Sequence, residues 1–318
     1  MANDFGFIGI GAMGYGMAMN IRKEIPNSST LFITDVFRPS CEKFKAEFSS
    51  HGPIEILDSA REVAERALTI ISIVPSANNV RQVYLDNEHG IIAAKANPDR
   101  LMLECSTIDV ETARDVGETL IKANAGLYID TPVSGGVPGA LAGTLSFLVG
   151  KAKTANNSSD LLSKRLITVI SAMATPEKIF YCGGLGAGLA AKISNNYLCG
   201  TILLATAEAM NIGIRSGVDK HVLYEVIKNS TGQSFMCDHV NPVPGVVPHA
   251  PSSRDYQGGF KAQMMVKDMT LGVDAAKVTG VRSTLGPAAL EVYKEAAMDP
   301  RCINRDVSVI YRFLDGPE

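Results

Sequence analysis

Phe5-Gly-Phe-Ile-Gly9-Ile-Gly11-Ala12-Met13-Gly14 decides the fold. An apolar run of strand type, Phe5 to Ile10, leads into a GxGxxG turn, and helical spacing begins near Ala12 and runs to about Lys23. Glycines at 9, 11 and 14 permit a tight turn and let the amides around Gly11, Ala12 and Met13 approach a pyrophosphate. That pyrophosphate would sit on the positive end of the helix. A glycine-rich turn can be only a turn, so its surroundings decide. Here a strand precedes it, a helix follows, and the next apolar run, Leu31–Val36, carries Asp35, 21 residues beyond Gly14. A carboxylate there accepts hydrogen bonds from an adenosine ribose diol and repels a 2′-phosphate, which favours NAD. Arg38, three residues on, keeps NADP possible.

Working outward, short apolar runs alternate with helical segments. After the first unit come Leu31–Val36, a helix over about Ser40–Phe48, then Leu68–Val74, Leu101–Ser106, Gly126–Val133, Thr144–Gly150 and Lys178–Gly183. Apolar strands separated by helices predict a parallel sheet covered on both faces, running to about residue 183. Beyond Gly188 the periodicity is helical: Leu189–Ser216, Lys220–Asn229, Gln263–Thr279, Gly286–Met298 and Asp306–Leu314. The predicted fold is α/β, a Rossmann-type doubly wound parallel sheet followed by an all-α C-terminal domain. The domains are drawn at 1–184, for NAD, and 185–318, starting with a long interdomain helix; 318 residues suit two cores better than one. Two stretches fall outside the pattern. Lys151–Asp160 is polar and reads as an exposed loop, and prolines and glycines between Gln233 and Phe260 forbid regular structure. An irregular segment that long reads as functional or mobile.

Composition narrows the function classes. With 46% hydrophobic residues, 20% charged and a net charge of -3, the chain is an ordinary globular protein without the footprint of a nucleic-acid or anionic-membrane binder. The six cysteines form no CxxC pair, which suits buried thiols in a reducing compartment, and the five histidines form no HExxH, so no metal site is assigned. Asp4 precedes the first apolar run and no basic residue appears before Arg22, so that run is not an export signal. The longest apolar stretch, Ile193–Ile214, carries Asn195, Asn196, Thr201, Thr206, Glu208 and Asn211, too polar for a bare membrane helix.

Two further motifs carry chemistry. Asp130-Thr-Pro-Val-Ser134-Gly135-Gly136 follows a strand, and the Ser134 hydroxyl with the amides of Gly135 and Gly136 makes a compact donor cluster suited to a small carboxylate. It reads equally as a turn between strands. In Gly186-Ala-Gly188-Leu-Ala-Ala-Lys192, the glycines start a helix, Lys192 falls in its first turns and Asn196 lies four residues on along the same face. A helix N-terminus and desolvation both disfavour an ammonium, so they lower the Lys192 pKa toward neutrality. Such a lysine can exchange a proton with an alcohol. A solvated lysine is the ordinary reading, but lysine is a poor choice there unless something else selects it.

Taken together, the chain resembles the β-hydroxyacid dehydrogenase family over nearly its whole length. The likeness rests on Gly9, Gly11 and Gly14, the DxPVSGG segment, the lysine helix with Asn196, and Lys267-Asp268. Asn241-Pro-Val-Pro-Gly245 and Tyr256-Gln-Gly-Gly-Phe260 resemble its 3-hydroxyisobutyrate dehydrogenase branch. The resemblance implies Lys192 as catalytic lysine, with Asn196 holding substrate, and Ser134, Gly135 and Gly136 on the substrate carboxylate. It further implies cofactor contacts at Val74, Pro75, Asn79, Thr107 and Lys267, with Asp268 supporting Lys267. The implied reaction is NAD-dependent oxidation of 3-hydroxyisobutyrate to methylmalonate semialdehyde, a step of valine catabolism, in a homodimer or homotetramer. Other β-hydroxyacids (3-hydroxypropionate, β-phenylserine, tartronate or succinic semialdehyde as the carbonyl form) and imines are the alternatives. Imine reductases, however, typically change the position held by Lys192. A non-catalytic NAD-binding module is disfavoured by Ser134, Lys192 and Asn196 together. The expected setting is intracellular, mitochondrial matrix or cytoplasm, with no transit peptide visible in this chain. Departures from the family are local: Gly16 stands where many relatives have proline, Lys151 follows Gly150 where a second glycine is common, and Lys151–Pro176 is longer.

Overall fold

The computed structural model describes residues 4–153 and 161–318, so most of the predicted Lys151–Asp160 loop lies outside the described residues. The chain divides into two compact units, Met1–Lys192 and Ile193–Glu318.

In the first unit, strands β1 (Phe5–Ile8), β2 (Leu31–Thr34), β3 (Ile54–Ile56), β4 (Thr69–Ser72), β5 (Leu101–Glu104) and β6 (Leu127–Asp130) form one sheet in the order β3-β2-β1-β4-β5-β6. Every pairing in it is parallel. Helices α1 (Ala12–Glu24), α2 (Arg38–Phe48), α3 (Ala60–Arg66), α4 (Ala77–Leu85) and α5 (Val110–Lys122) lie between the strands in sequence. The strands read as unbroken apolar runs because both faces are buried. Phe7, Ile33, Ile71, Leu103 and Ile129 enter one core, while their neighbours Ile8, Phe32, Ile70, Met102 and Tyr128 enter the other. Each such large side chain contributes roughly 1.5–3 kcal/mol by leaving water. Two buried basic residues serve the fold: Arg22 donates to the carbonyls of Ser29, Pro53, Ile25 and Pro26, and Arg100 to those of Ala125, Ala64 and Lys95.

The strands up to residue 183 do not form the single sheet expected from the sequence. Strands β7 (Val133–Ser134), β8 (Ser146–Val149) and β9 (Ile179–Tyr181) form a separate three-stranded sheet, with β7 antiparallel to β8 and β8 parallel to β9. Between β7 and β8 the chain has only the seven-residue α6 (Gly136–Ala142), a short return that suits antiparallel pairing. The longer link carrying α7 (Leu161–Ser171) precedes the parallel strand β9.

Helix α8 (Ala187–Arg215) begins in the first unit and continues into the second, which adds α9 (Lys220–Lys228), α10 (Phe235–His239), α11 (Ala262–Val278), α12 (Leu285–Met298) and α13 (Ile310–Phe313). Among the described residues α8 alone is long and apolar enough to cross a membrane by length and composition. Its apolarity has a use within the fold: Leu203, Ala207 and Met210 join Met269, Tyr293 and Ile310 in the core of the second unit. At Gly200 an added Cβ would lie 2.5 Å from the Met269 sulfur, and the carbonyl of Gly200 accepts the Tyr293 hydroxyl at 2.8 Å.

The irregular stretch from Gln233 to Phe260 also differs from expectation. It contains α10 and a 3₁₀ turn at Pro251–Arg254, and much of it is core. Asn241, fully buried, donates to the Cys237 carbonyl (3.1 Å) and accepts from the Val243 amide (3.1 Å). The Ser252 and Tyr256 hydroxyls donate to the carbonyls of Asn241 and Pro242. Prolines removed the ladder bonds, and buried side chains replaced them.

Candidate functional site

The turn after β1 shows why each glycine of the motif is there. Gly9 has φ 98°, and a Cβ on it would lie 2.1 Å from the Ile73 carbonyl oxygen. A Cβ on Gly14 would lie 1.9 Å from the Gly9 oxygen, so this glycine lets α1 seat against the turn. Around Gly11 there is open space, and the start of α1 has no side-chain cap. The first amides of α1 therefore face a gap beside the positive end of a helix, which fits the pyrophosphate of a dinucleotide. Asp35, just beyond β2, accepts the amides of Ile10 (2.6 Å) and Phe37 (2.7 Å), one on each oxygen. Each oxygen keeps a lone pair for a ribose hydroxyl. Arg38 pairs with Asp58 at 2.5 Å and lies 3.7 Å from Glu42, so its charge is already shared by two carboxylates.

Because the strands of the main sheet are parallel, their carboxyl ends share this edge, where such sheets bind ligands. Val74, after β4, donates its amide to the Ser106 hydroxyl (2.7 Å), and the Ser106 amide donates to the buried carboxylate of Glu104 (2.7 Å) at the end of β5. This brings the Val74-Pro75 and Ser106-Thr107 segments together. Glu104 and Ser106 escaped the sequence reading; a carboxylate closing an apolar strand was the available signal. Asn79 sits in the first turn of α4, where its amide donates to the Ser76 hydroxyl, which in turn donates to the Asn79 Oδ1 (2.7 Å). That is helix capping, and it occupies part of a side chain expected at the cofactor.

Ser134 ends β7, and Gly135 (φ 135°) and Gly136 (φ 64°) form an exposed turn into α6. The turn is therefore one from strand to helix, with both glycines exposed. Helix α6 packs on α1, and the departure at Gly16 follows from this: a Cβ there would lie 2.8 Å from the backbone at Ala140 and Leu141. Asn20 completes the contact by donating to the Ala140 carbonyl (2.7 Å).

Lys192, sixth residue of α8, is 7% exposed. The N-terminus of α8 is held by Asp130, the last residue of β6, whose two oxygens accept the amides of Gly186 (2.7 Å) and Leu189 (2.9 Å). Burial pushes the Asp130 carboxyl pKa up from its ordinary value, and these amides pull it down. In the second unit Asn196 donates to Asp268 of α11 at 2.6 Å, and Asp268 is itself buried. Asn196 and Asp268 are thus joined across 72 residues, and Lys267 beside Asp268 is partly exposed. Among the described residues no group of three or more His, Cys, Asp and Glu side chains is placed to hold a metal ion.

Residues 4–183 match the family described as the NAD binding domain of 6-phosphogluconate dehydrogenase, and residues 186–314 the one described as the NAD-binding of NADP-dependent 3-hydroxyisobutyrate dehydrogenase. The mitochondrial 3-hydroxyisobutyrate dehydrogenase of Mus musculus is 36% identical over 98% of this chain and 87% of its own length. An NAD-dependent L-serine dehydrogenase of Pseudomonas aeruginosa is also 36% identical, over 97% of each chain. Among solved structures, 3-hydroxyisobutyrate dehydrogenase of Mycobacterium tuberculosis with L-serine superposes with a TM-score of 0.84 at 32% identity, over 99% of both chains. An imine reductase from Myxococcus stipitatus shares the fold at 14% identity and a TM-score of 0.59.

Proposed function

The chain belongs to the 3-hydroxyisobutyrate dehydrogenase family, NAD-dependent oxidoreductases acting on CH–OH donors, and from that premise we propose that it oxidises a small 3-hydroxyacid, 3-hydroxyisobutyrate first among them, with Lys192 as general base. When bound, the nicotinamide supplies the hydride acceptor for the carbinol carbon. Ser134 and the amides of Gly135 and Gly136 bind the substrate carboxylate. Lys192, neutral, takes the hydroxyl proton and returns it in the reverse direction. Asn196, which donates to Asp268, is assigned to the substrate, and Lys267 is assigned to the cofactor, on the family resemblance. Gly9, Gly11, Ala12, Met13 and Gly14 cradle the pyrophosphate, Asp35 takes the ribose, and Val74, Pro75, Asn79 and Thr107 line the rest of the dinucleotide. The observation that carries this reading is the burial of Lys192, a single lysine held in the first turns of α8. We take the enzyme to be a soluble homodimer or homotetramer; relatives include both mitochondrial and bacterial proteins.

A panel of 3-hydroxyisobutyrate, 3-hydroxypropionate, L-serine, β-phenylserine and glycerate, each with NAD and NADP, tests the reading by NADH or NADPH formation. The highest kcat/KM is expected for 3-hydroxyisobutyrate with NAD. L-serine is the second reading, since a relative of equal identity is an L-serine dehydrogenase, and a higher kcat/KM for serine would replace the first. No turnover with any 3-hydroxyacid would sink both. In the same assay Asp35→Ala is expected to narrow the preference for NAD over NADP by about tenfold or more, the loss of roughly 1.4 kcal/mol of charge discrimination. An unchanged ratio would remove Asp35 from cofactor selection.

A further inference from the structure

We propose that Asp130 is a positioning residue for Lys192, setting where the lysine stands relative to the loop that binds the substrate carboxylate. The proposal rests on the reading of Lys192 as general base. Asp130 is fully buried, and an ionised carboxylate loses several kcal/mol of solvation in such a place unless something satisfies it. What satisfies it is the start of α8, through the amides of Gly186 and Leu189. The residues that precede the helix, Gly183-Gly184-Leu185-Gly186, contain no side chain able to cap it. The cap is therefore supplied from 56 residues away, by the end of a core strand.

The space around the carboxylate is built to match. A Cβ on Gly150 would lie 1.9 Å from Asp130 Oδ1, and a Cβ on Gly188 would lie 2.9 Å from Oδ2 and 2.2 Å from the Leu148 carbonyl oxygen. Gly188 thus lets α8 press onto Asp130, four residues before Lys192. The main chain at Asp130 is equally fixed, because its carbonyl accepts the Gly150 amide (2.8 Å) and the next amide, of Thr131, donates to the Glu104 carbonyl (2.7 Å). Ser134 lies four residues downstream of this anchor, and all of these groups belong to the first unit. One residue therefore references both segments to the sheet, the acid-binding loop through its main chain and the lysine helix through its carboxylate. Near-attack geometry is sensitive to shifts of about 1 Å, each costing roughly 100-fold in rate.

Asp130→Asn keeps the volume and one acceptor but turns an NH2 group toward an amide donor. It is expected to lower kcat about 100-fold while KM changes less than about threefold and NADH binding, followed by fluorescence, is retained. Amide exchange at the first turn of α8 should accelerate. In a Lys192→Ala background the same substitution should add less than about twofold, because the group it positions is gone. A purely structural role would lower Tm and leave kcat of the folded protein unchanged, which would overturn the proposal, as would a full further loss in the double variant. If Lys192→Ala itself keeps its turnover, the general-base reading fails and this proposal with it. An inactive Lys192→Ala beside a normal Asp130→Asn overturns this proposal alone. Should the Asn variant not fold, amide exchange of the wild-type enzyme still decides, since Gly186 and Leu189 must be protected like strand amides, and rapid exchange there refutes the anchor.

Discussion

Replacing Lys192 by alanine should leave NADH binding within about twofold and lower kcat by about 1,000-fold, inside the 10²–10⁴ range that a positioned acid–base group supplies. The asymmetry follows from what the side chain does. It makes no part of the glycine turn or of the Asp35 loop proposed for the ribose, so cofactor affinity should not depend on it, whereas the hydroxyl proton has no other assigned acceptor. Lys192→Arg sharpens the test: a guanidinium keeps the charge but cannot deprotonate, so it should be inactive in oxidation as well. A rescue by arginine would mean that charge, and not proton transfer, is what the position supplies. The pH profile has a definite sign. Oxidation needs the neutral amine, so its kcat/KM falls as pH drops through the lysine pKa, while reduction needs the ammonium and falls as pH rises through it. A Lys192→Ala variant with most of its kcat, or an oxidation profile flat into mildly acid pH, would remove Lys192 from the mechanism.

The second large effect is expected in the glycine turn, where two neighbouring substitutions should separate binding from stability. A methyl group at Gly14 has nowhere to go: its carbon would lie 1.9 Å from the Gly9 oxygen and 3.0 Å from Ile73 Cγ2. Since the nearest of these neighbours is backbone, α1 must shift. Gly14→Ala should lose about 1–3 kcal/mol of stability, the usual cost of overpacking, and raise the NADH Kd at least about tenfold. For a unit of this size that corresponds to a fall in Tm of about 2–12 °C. At Gly11 the added carbon meets nothing within 4 Å, so Gly11→Ala should keep its Tm and still lose NADH affinity, because the space it fills is the approach to the first amides of α1. Thermal melts and NADH fluorescence titrations on both variants check this. A Gly11→Ala variant that binds NADH like wild type would put the pyrophosphate elsewhere.

Different parts of the site were legible in the sequence to different degrees. Gly9, Gly11, Gly14 and Asp35 stood out because strand, turn, helix and second strand follow one another within 31 residues, and each signal is local. Lys192 stood out through a local misfit, a lysine at the wrong end of a helix. Asp130 was visible only as a letter in a motif, and its bonds to Gly186 and Leu189 span 56 and 59 residues. Asp268 was read only beside Lys267, and its hydrogen bond from Asn196, 72 residues back, is a contact that no local pattern shows. The same limit explains the larger misreadings. Short apolar runs identified β8 and β9 as strands, but which sheet they join depends on where the chain returns after Gly135. Prolines between Gln233 and Phe260 spoke against regular structure, but whether such a stretch is exposed or core depends on partners such as Asn241, Ser252 and Tyr256 for its backbone.

By itself, then, the sequence determined the parallel α/β layering, the helical second half, the dinucleotide turn and the residue types available for chemistry. Periodicity and backbone freedom at glycine are properties of a residue and its near neighbours in sequence. Only the tertiary structure decided the separate β7-β8-β9 sheet, the carboxylate that anchors the lysine helix, the partner of Asn196 and the close seat of α1 on α6 at Gly16. Each of these is a contact between distant segments, fixed when buried polar groups find their donors and helices approach until side chains touch.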